Sequence, residues 1–373
     1  MNIALVHDWL TNMGGAERLV INFLELYSDA PLYTTVYNPE KLDEQLKNID
    51  VKTSFLQKSK KALKNHQKYF PFMPIAFENF DLNEYDIVLS SSSSCAKGVI
   101  TNPDTMHVCY CNSPMRYAWE FYYEYAKKDI SNPLKKKILK YFMNYMRLWD
   151  KVSADRVDYF IANSENVAKR IWKHYRRESV VIHPSVRTKL FNINNDVDEE
   201  YFLIVSRLVS YKRIDLAVEA FNELGLPLVI IGDGAEKEKL EYMAKDNITF
   251  LGRQPDVVIK DYYSKCRAFI FPGEEDFGIT SLEAQASGRP VIAYGKGGAL
   301  ETVKEDETGI FFYEQTVNSL KHVVNSFEDY NFNKKFIRKH AETFDESVFK
   351  EKINNFVNNS YEKFKNEKKW KVI

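Results

Sequence analysis

The 373-residue chain has only four cysteines, Cys95, Cys109, Cys111 and Cys266, and they fall in no paired metal-ligand spacing. Cys109 and Cys111 sit inside an apolar, strand-like run, so buried reduced thiols are expected rather than a metal centre. An excess of either charge is missing as well. Lys plus Arg and Asp plus Glu number 52 each, and the overall charge gives no reason to invoke nucleic acid. No run approaches 18 consecutive apolar residues and no charged-then-apolar leader precedes Asn2–Val6, so a cytoplasmic protein without a membrane span is expected. The first strand-to-helix turn lacks Gly-x-Gly-x-x-Gly, which counts against a nicotinamide enzyme. No lysine stands in a context that suggests pyridoxal phosphate.

What is present is a long alternation of short buried strands with amphipathic helices, the pattern of α/β domains built on parallel sheets. Strands are expected near Ile3–Val6, Tyr85–Ser90, His107–Cys111 and Asp158–Ala162, with Ser179–Pro184 closing the first half, then at Tyr201–Val205, Pro227–Ile231, Ile248–Gly252, Ala268–Phe271, Pro290–Tyr294 and Thr308–Phe312. The length is too great for one core of ordinary size. The polar segment Phe191–Glu200 separates two halves. The expected division is 1–190, 191–345, and a helical end at 346–373.

Chemistry concentrates in Phe269–Tyr294. A buried strand stops at Pro272-Gly273, and an acidic loop follows with Glu274, Glu275 and Asp276. Phe277-Gly278 then leads into a helix from Ile279 to Ala286, closed by Gly288 and Pro290. The start of that helix offers unpaired N–H groups to a phosphate, and Glu275 and Glu283 can accept hydrogen bonds from sugar hydroxyls. Arg207 follows one strand and Lys212 precedes a helix at Ile214, which suits a diphosphate. Gly14 and Gly15 form a further strand–glycine–helix turn that lets a backbone approach an anion closely.

Three passages carry a family resemblance: Glu275-x7-Glu283 with Gly288-Arg-Pro-Val291, Arg207-Leu-x-x-x-Lys212, and Tyr110-Cys-Asn-Ser-Pro-Met-Arg-Tyr-Ala-Trp119. The chain resembles the retaining glycosyltransferases of family 4, which have two facing Rossmann-like domains and an interdomain cleft. The third passage is similar to that of a bacterial subgroup of GDP-mannose-dependent mannosyltransferases of surface polysaccharide synthesis. The resemblance implies that Glu275 holds the donor hexose and Glu283 the ribose. Arg207, Lys212 and the helix start at Ile279 would hold the diphosphate, and the Ile248–Gly252 segment with Arg253 would receive the base. Gly14 and Gly15 would lie against the donor phosphate and the acceptor. Transfer would keep the anomeric configuration through an oxocarbenium-like state, the leaving phosphate oxygen helping to deprotonate the acceptor hydroxyl. With cations supplied by the protein, no metal and no other cofactor is expected.

Two departures accompany the resemblance. Asn112 and Ser93 stand where the subgroup has histidines, and neither side chain can take up a proton near neutral pH. They keep open a non-catalytic subunit that binds nucleotide or glycan, and a nucleotide-sugar epimerase of the same plan is a further alternative. Two basic and aromatic stretches, Lys58–Phe77 and Pro133–Trp149, suit contact with an anionic membrane at its inner face, where a lipid-linked acceptor would lie. In the second, Leu134, Ile138, Leu139, Phe142 and Met146 give an amphipathic helix its apolar side, which either packs inward behind a solvated lysine face or meets the membrane.

Overall fold

The computed structural model describes residues 1–120, 122, 133–194 and 200–367, and the chain divides into two compact units, Met1–Ile182 with Lys350–Ile373 and His183–Phe349. In the first unit β1 (Ile3–His7), β2 (Leu32–Thr34), β3 (Val51–Thr53), β4 (Ile87–Ser92), β5 (Met106–Cys111), β6 (Tyr159–Ala162) and β7 (Ser179–Val181) form one sheet in the order β3-β2-β1-β4-β5-β6-β7. Every described pairing in it is parallel. In the second unit β8 (Phe202–Val205), β9 (Leu228–Ile231), β10 (Ile248–Gly252), β11 (Phe269–Phe271), β12 (Val291–Tyr294) and β13 (Gly309–Phe312) form a parallel sheet in the order β10-β9-β8-β11-β12-β13. Each is a doubly wound, Rossmann-like sheet whose order reverses beside its first strand, at β1/β4 and at β8/β11. Ligands of such sheets bind outside the carboxyl ends of the strands at that reversal.

The strands expected from apolar runs are all present. β2 and β3 are three residues long, too short for an apolar run to announce them. Central strands β1, β4 and β5 are buried along their whole length, as continuous apolar runs in a parallel sheet require. Ala4, Val6, Val88, Met115, Met146 and Trp149 share one core of the first unit, while Ile204, Ile230, Ile270, Ile292 and Phe221 build one of the second. Phe191, assigned by its polar neighbours to the connection, is buried in a core with Tyr201, Tyr263 and Phe269. Residues 195–199 of that connection lie outside the described residues.

The helices that matter for function are α1 (Gly15–Leu26), α2 (Pro133–Ala154), α3 (Glu165–Tyr175), α4 (Ile214–Leu224), α5 (Ile279–Ala286), α6 (Ala299–Thr302) and α7 (Glu346–Glu367). Helix α5 has the expected bounds. Helix α2 divides the expected apolar side: Phe142 and Met146 turn toward the core with Met143 and Trp149, whereas Ile138 is exposed and joins Tyr141, Tyr145, Leu148 and Val152 on an outward stripe. Two apolar sides occur at helical spacing, and the inward one is held by contacts such as that of Phe142, which meets Phe70 edge-on with ring centroids 5.7 Å apart. The side chain of Leu134 and the lysines at 127, 128, 135 and 136 lie outside the described side chains. All four cysteines are free and buried. Among the described residues no helix is long and apolar enough to cross a membrane.

Candidate functional site

Because all strands of the second unit run the same way, the residues following β8, β9, β10 and β11 emerge on one edge. Arg207 lies just beyond β8, Gly232 beyond β9, Arg253 beyond β10 and Glu274–Gly278 beyond β11. Lys212 ends a single 3-10 turn, Ser210–Lys212, and Arg213 in the left-handed region (φ 54°) caps α4, so Lys212 stands two residues ahead of the helix. Its ammonium is paired with the Glu275 carboxylate and lies 5.5 Å from the Tyr211 ring centroid. Arg207 is exposed and donates from Nη2 to the Tyr211 hydroxyl at 3.0 Å. A small recess at this edge is lined by Ser206, Lys212, Pro272, Gly273 and Glu275.

Close backbone packing builds the recess. A Cβ on Gly273 would fall 2.8 Å from the Lys212 carbonyl oxygen, and one on Gly298 would fall 2.2 Å from the Phe277 Cα. Glu275 is held from the other side by Gly298, whose N–H donates to the Glu275 carbonyl at 2.9 Å. Gly278 caps α5 at φ 101°, a conformation that L side chains avoid. The helix therefore begins at Ile279 with its first N–H groups directed at the same edge. Glu283, one turn into α5, is buried and accepts from the Tyr263 hydroxyl at 3.1 Å. Phe277 is buried and directs its ring into the core, so it shapes the loop from behind. Arg253 is exposed after Gly252.

The remaining sequence-derived residues, Gly14, Gly15 and Asn112, belong to the first unit and emerge on the carboxyl edge of its sheet. Gly14 caps α1, and a Cβ there would lie 2.9 Å from a Glu17 carboxylate oxygen. Asn112 donates from Nδ2 to Ser91 Oγ at 3.0 Å, and its own carbonyl accepts from Asn163 at 2.8 Å. Sequence reasoning passed over Asp8. Its buried carboxylate accepts from Ser93 N and Oγ at 2.7 and 3.1 Å and from Cys95 N and Ala96 N at 2.8 Å each. The Ser93 loop is thus hung on the end of β1. An acid directly after a buried strand was the available signal. Trp9 stacks on His66 with ring centroids 4.5 Å apart, and burial lowers the pKa of His66. His183, Tyr263 and Glu301 were also unforeseen, because each acts through a partner distant in sequence, and Tyr211 was passed over although its partners Arg207 and Lys212 are near in the chain.

The family described as Glycosyltransferase Family 4 matches residues 13–190, and that described as Glycosyl transferases group 1 matches residues 185–343. An uncharacterized glycosyltransferase of Methanocaldococcus jannaschii is 26% identical over 47% of this chain, and the match spans about half, 51%, of that relative's own length. The alpha-1,3/1,6-mannosyltransferase ALG2 of Dictyostelium discoideum is 25% identical over 90% of this chain and 91% of its own. A GDP-mannose-dependent phosphatidylinositol monomannoside mannosyltransferase of Mycobacterium tuberculosis is 30% identical over 38% of this chain and 41% of its own. In fold, the sucrose-phosphate synthase of Thermosynechococcus elongatus superposes with a TM-score of 0.75 at 17% identity, covering 97% of this chain and 99% of that one. With two glycosyltransferase family models together matching residues 13–343 and both sheets of the Rossmann-like kind, the chain belongs to the glycosyltransferases of the two-Rossmann-domain (GT-B) type.

Proposed function

We propose that the chain transfers a hexose, mannose from GDP-mannose in first place, to a glycan or lipid-linked glycan during synthesis of a bacterial surface polysaccharide. The observation that carries this reading is the convergence of Arg207, Lys212 and the start of α5 on the edge that also bears Glu275 and Glu283. Two cations and oriented N–H groups there match a diphosphate, and two carboxylates match hydroxyls on either side of it. The mannosyltransferases among the relatives, together with Tyr110–Trp119, favour mannose and GDP.

In this reading Arg207 and Lys212 stabilise the charge that develops on the leaving diphosphate, which is the part of the reaction where fixed cations lower the barrier most. Glu275 holds hydroxyls of the hexose as its ring flattens toward an oxocarbenium ion. The leaving phosphate oxygen takes the acceptor proton, and the new bond forms on the face that the phosphate leaves, with retention. The two protein cations do the work that a metal would otherwise do, so turnover is expected to survive chelation.

Contact with an anionic bilayer is part of the proposal. The outward stripe Ile138, Tyr141, Tyr145, Leu148 and Val152 is flanked by exposed Lys137 and Lys140, and exposed Phe72 and Ile75 lie in the segment that carries exposed Lys58, Lys60, Lys61, Lys64 and Lys68. Apolar side chains edged by lysine suit the headgroup boundary.

A nucleotide-binding subunit without turnover is the second reading. It is favoured by Asn112 and Ser93, both tied into local hydrogen bonds and unable to move a proton. One experiment addresses both. Thermal unfolding is followed with GDP, UDP, GDP-mannose and UDP-glucose, with Mg²⁺ and with chelator, on the wild-type chain and on Arg207→Ala and Glu283→Ala. Selective, metal-independent stabilisation lost in both variants supports the donor site. Hydrolysis or transfer of the stabilising sugar nucleotide separates enzyme from subunit. No stabilisation by any of the four sinks the site as described.

A further inference from the structure

His183 is the first residue of the second unit. Its imidazole stacks on the Phe277 ring with centroids 5.1 Å apart and planes 17° from parallel, and Phe344 closes the cluster at 5.5 Å from His183 and 5.9 Å from Phe277. The edge of the imidazole is held too. Its Nε2 lies 2.9 Å from Glu301 Oε2, on α6. A residue that only filled space here would be apolar, whereas this one combines a stacked face with a hydrogen bond to a carboxylate that is itself only 14% exposed. Two contacts of different kinds fix both the position and the rotation of the ring.

Phe277 is consequently gripped from two sides. Its ring lies on His183, and its backbone lies so close to Gly298 that no side chain fits between them. Glu275 is two residues before Phe277 and Ile279 two residues after it. A displacement of Phe277 therefore moves the carboxylate and the helix start together. The far end of the cluster is anchored as well, since Val186 N–H donates to the Phe344 carbonyl at 2.9 Å.

We propose that His183 is a positioning residue for binding of a nucleoside diphosphate sugar, acting through Phe277 on the Glu275–Ile279 turn. This rests on the donor-site reading above. His183 itself touches no substrate. Its contribution is to keep Glu275 where it meets the hexose, so its loss weakens recognition of the sugar more than recognition of the nucleotide. Positioning of this kind is sensitive because a shift of an ångström at a polar contact removes most of it.

The test is calorimetric titration of the full chain with GDP-mannose and with GDP, and with UDP-glucose and UDP as the second donor pair. His183→Ala is expected to weaken the sugar nucleotide about tenfold, equivalent to about 1.4 kcal/mol, and the bare diphosphate about twofold. His183→Phe keeps the stack on Phe277 but loses the hydrogen bond to Glu301, and is expected to recover only part of the loss. A merely structural role would lower both affinities alike and leave their ratio unchanged. Equal Kd values for His183→Ala and wild type, or an unchanged ratio, overturn the inference. If His183→Ala does not fold, Glu301→Ala removes the hydrogen bond and leaves the stack. It must then lower the same ratio, and an unchanged ratio overturns the inference again. A wild-type chain that binds neither donor pair sinks the donor-site reading and this inference with it. A wild-type chain that binds one pair while the variants bind as well sinks the inference alone.

Discussion

Lys212 and Glu275 form an ion pair at the edge of the second sheet, each side chain less than one-fifth exposed. The cation assigned to the diphosphate and the acid assigned to the hexose are therefore partners, and a phosphate that reaches Lys212 competes with a carboxylate already there. Glu275→Gln should release the ammonium and tighten a bare nucleoside diphosphate several-fold while lowering turnover by about a hundredfold or more. Lys212→Ala should weaken the same diphosphate by about ten- to a hundredfold, the range of a charge-assisted hydrogen bond. Titration with GDP and UDP, beside a sugar-release assay, reads both. Weaker diphosphate binding in Glu275→Gln would contradict the competition.

Gly298 faces the Phe277 backbone with no room for a methyl group. Gly298→Ala is expected to force the two loops apart, lowering stability by about 2 kcal/mol in the manner of an overpacked core and abolishing stabilisation by nucleotide. Urea unfolding with and without ligand separates the two effects. A variant of wild-type stability that still binds would show the contact to be adjustable.

Lys97 and Asp150 form a fully buried pair in the first unit, and Asp150 also accepts from Trp119 Nε1 at 2.7 Å and the Tyr175 hydroxyl at 2.9 Å. Burial alone would lower the pKa of Lys97, but Asp150 outweighs it and the net direction is upward. The pair contributes fully below the ordinary lysine value and is lost only as pH rises through the higher folded one. Asp150→Ala strands the ammonium and should cost about 3–5 kcal/mol, read as a large fall in the urea midpoint near pH 7. A change under 1 kcal/mol would mean that water reaches Lys97.

His107 is buried, its Nε2 2.9 Å from Ser90 Oγ. Burial, aided by the nearby Lys97 charge, lowers its pKa from 6.5 to about 3. The unfolded chain takes up a proton near 6.5 and the folded one does not, so this stabilisation is present above that pH and falls as the medium becomes more acidic. About 2 kcal/mol should be lost by pH 5. His107→Gln should flatten that part of the stability profile. Equal slopes for variant and wild type between pH 7 and 5 would refute it.

The stripe on α2 predicts binding to vesicles of mixed phosphatidylglycerol and phosphatidylcholine. Replacing Tyr141 and Leu148 with aspartate should abolish co-sedimentation with little change in unfolding temperature, since both are exposed. Equal binding by the variant, or binding that ignores lipid charge, would remove the membrane from the proposal.

Much of this molecule could be read without coordinates. Buried parallel strands are written as continuous apolar runs, so β1, β4, β5, β8, β9 and β11 were legible, and the bounds of α5 followed from Gly278 and Gly288. The local spacing Glu275-x7-Glu283 and the order Arg207…Lys212 likewise needed no fold, because each lies within one strand–loop–helix unit. The short strands β2 and β3, the side of α2 that turns inward, and the burial of Phe191 were decided only by tertiary structure. In each case the local signal suits two arrangements, and packing against distant residues selects one. The same holds for the contacts of Asp8 with Ser93, of Tyr263 with Glu283 and of His183 with Phe277, which join positions 85, 20 and 94 residues apart. A sequence fixes which residues can make such contacts, and the pairing of parallel strands, which brings remote loops to one edge, decides which of them do.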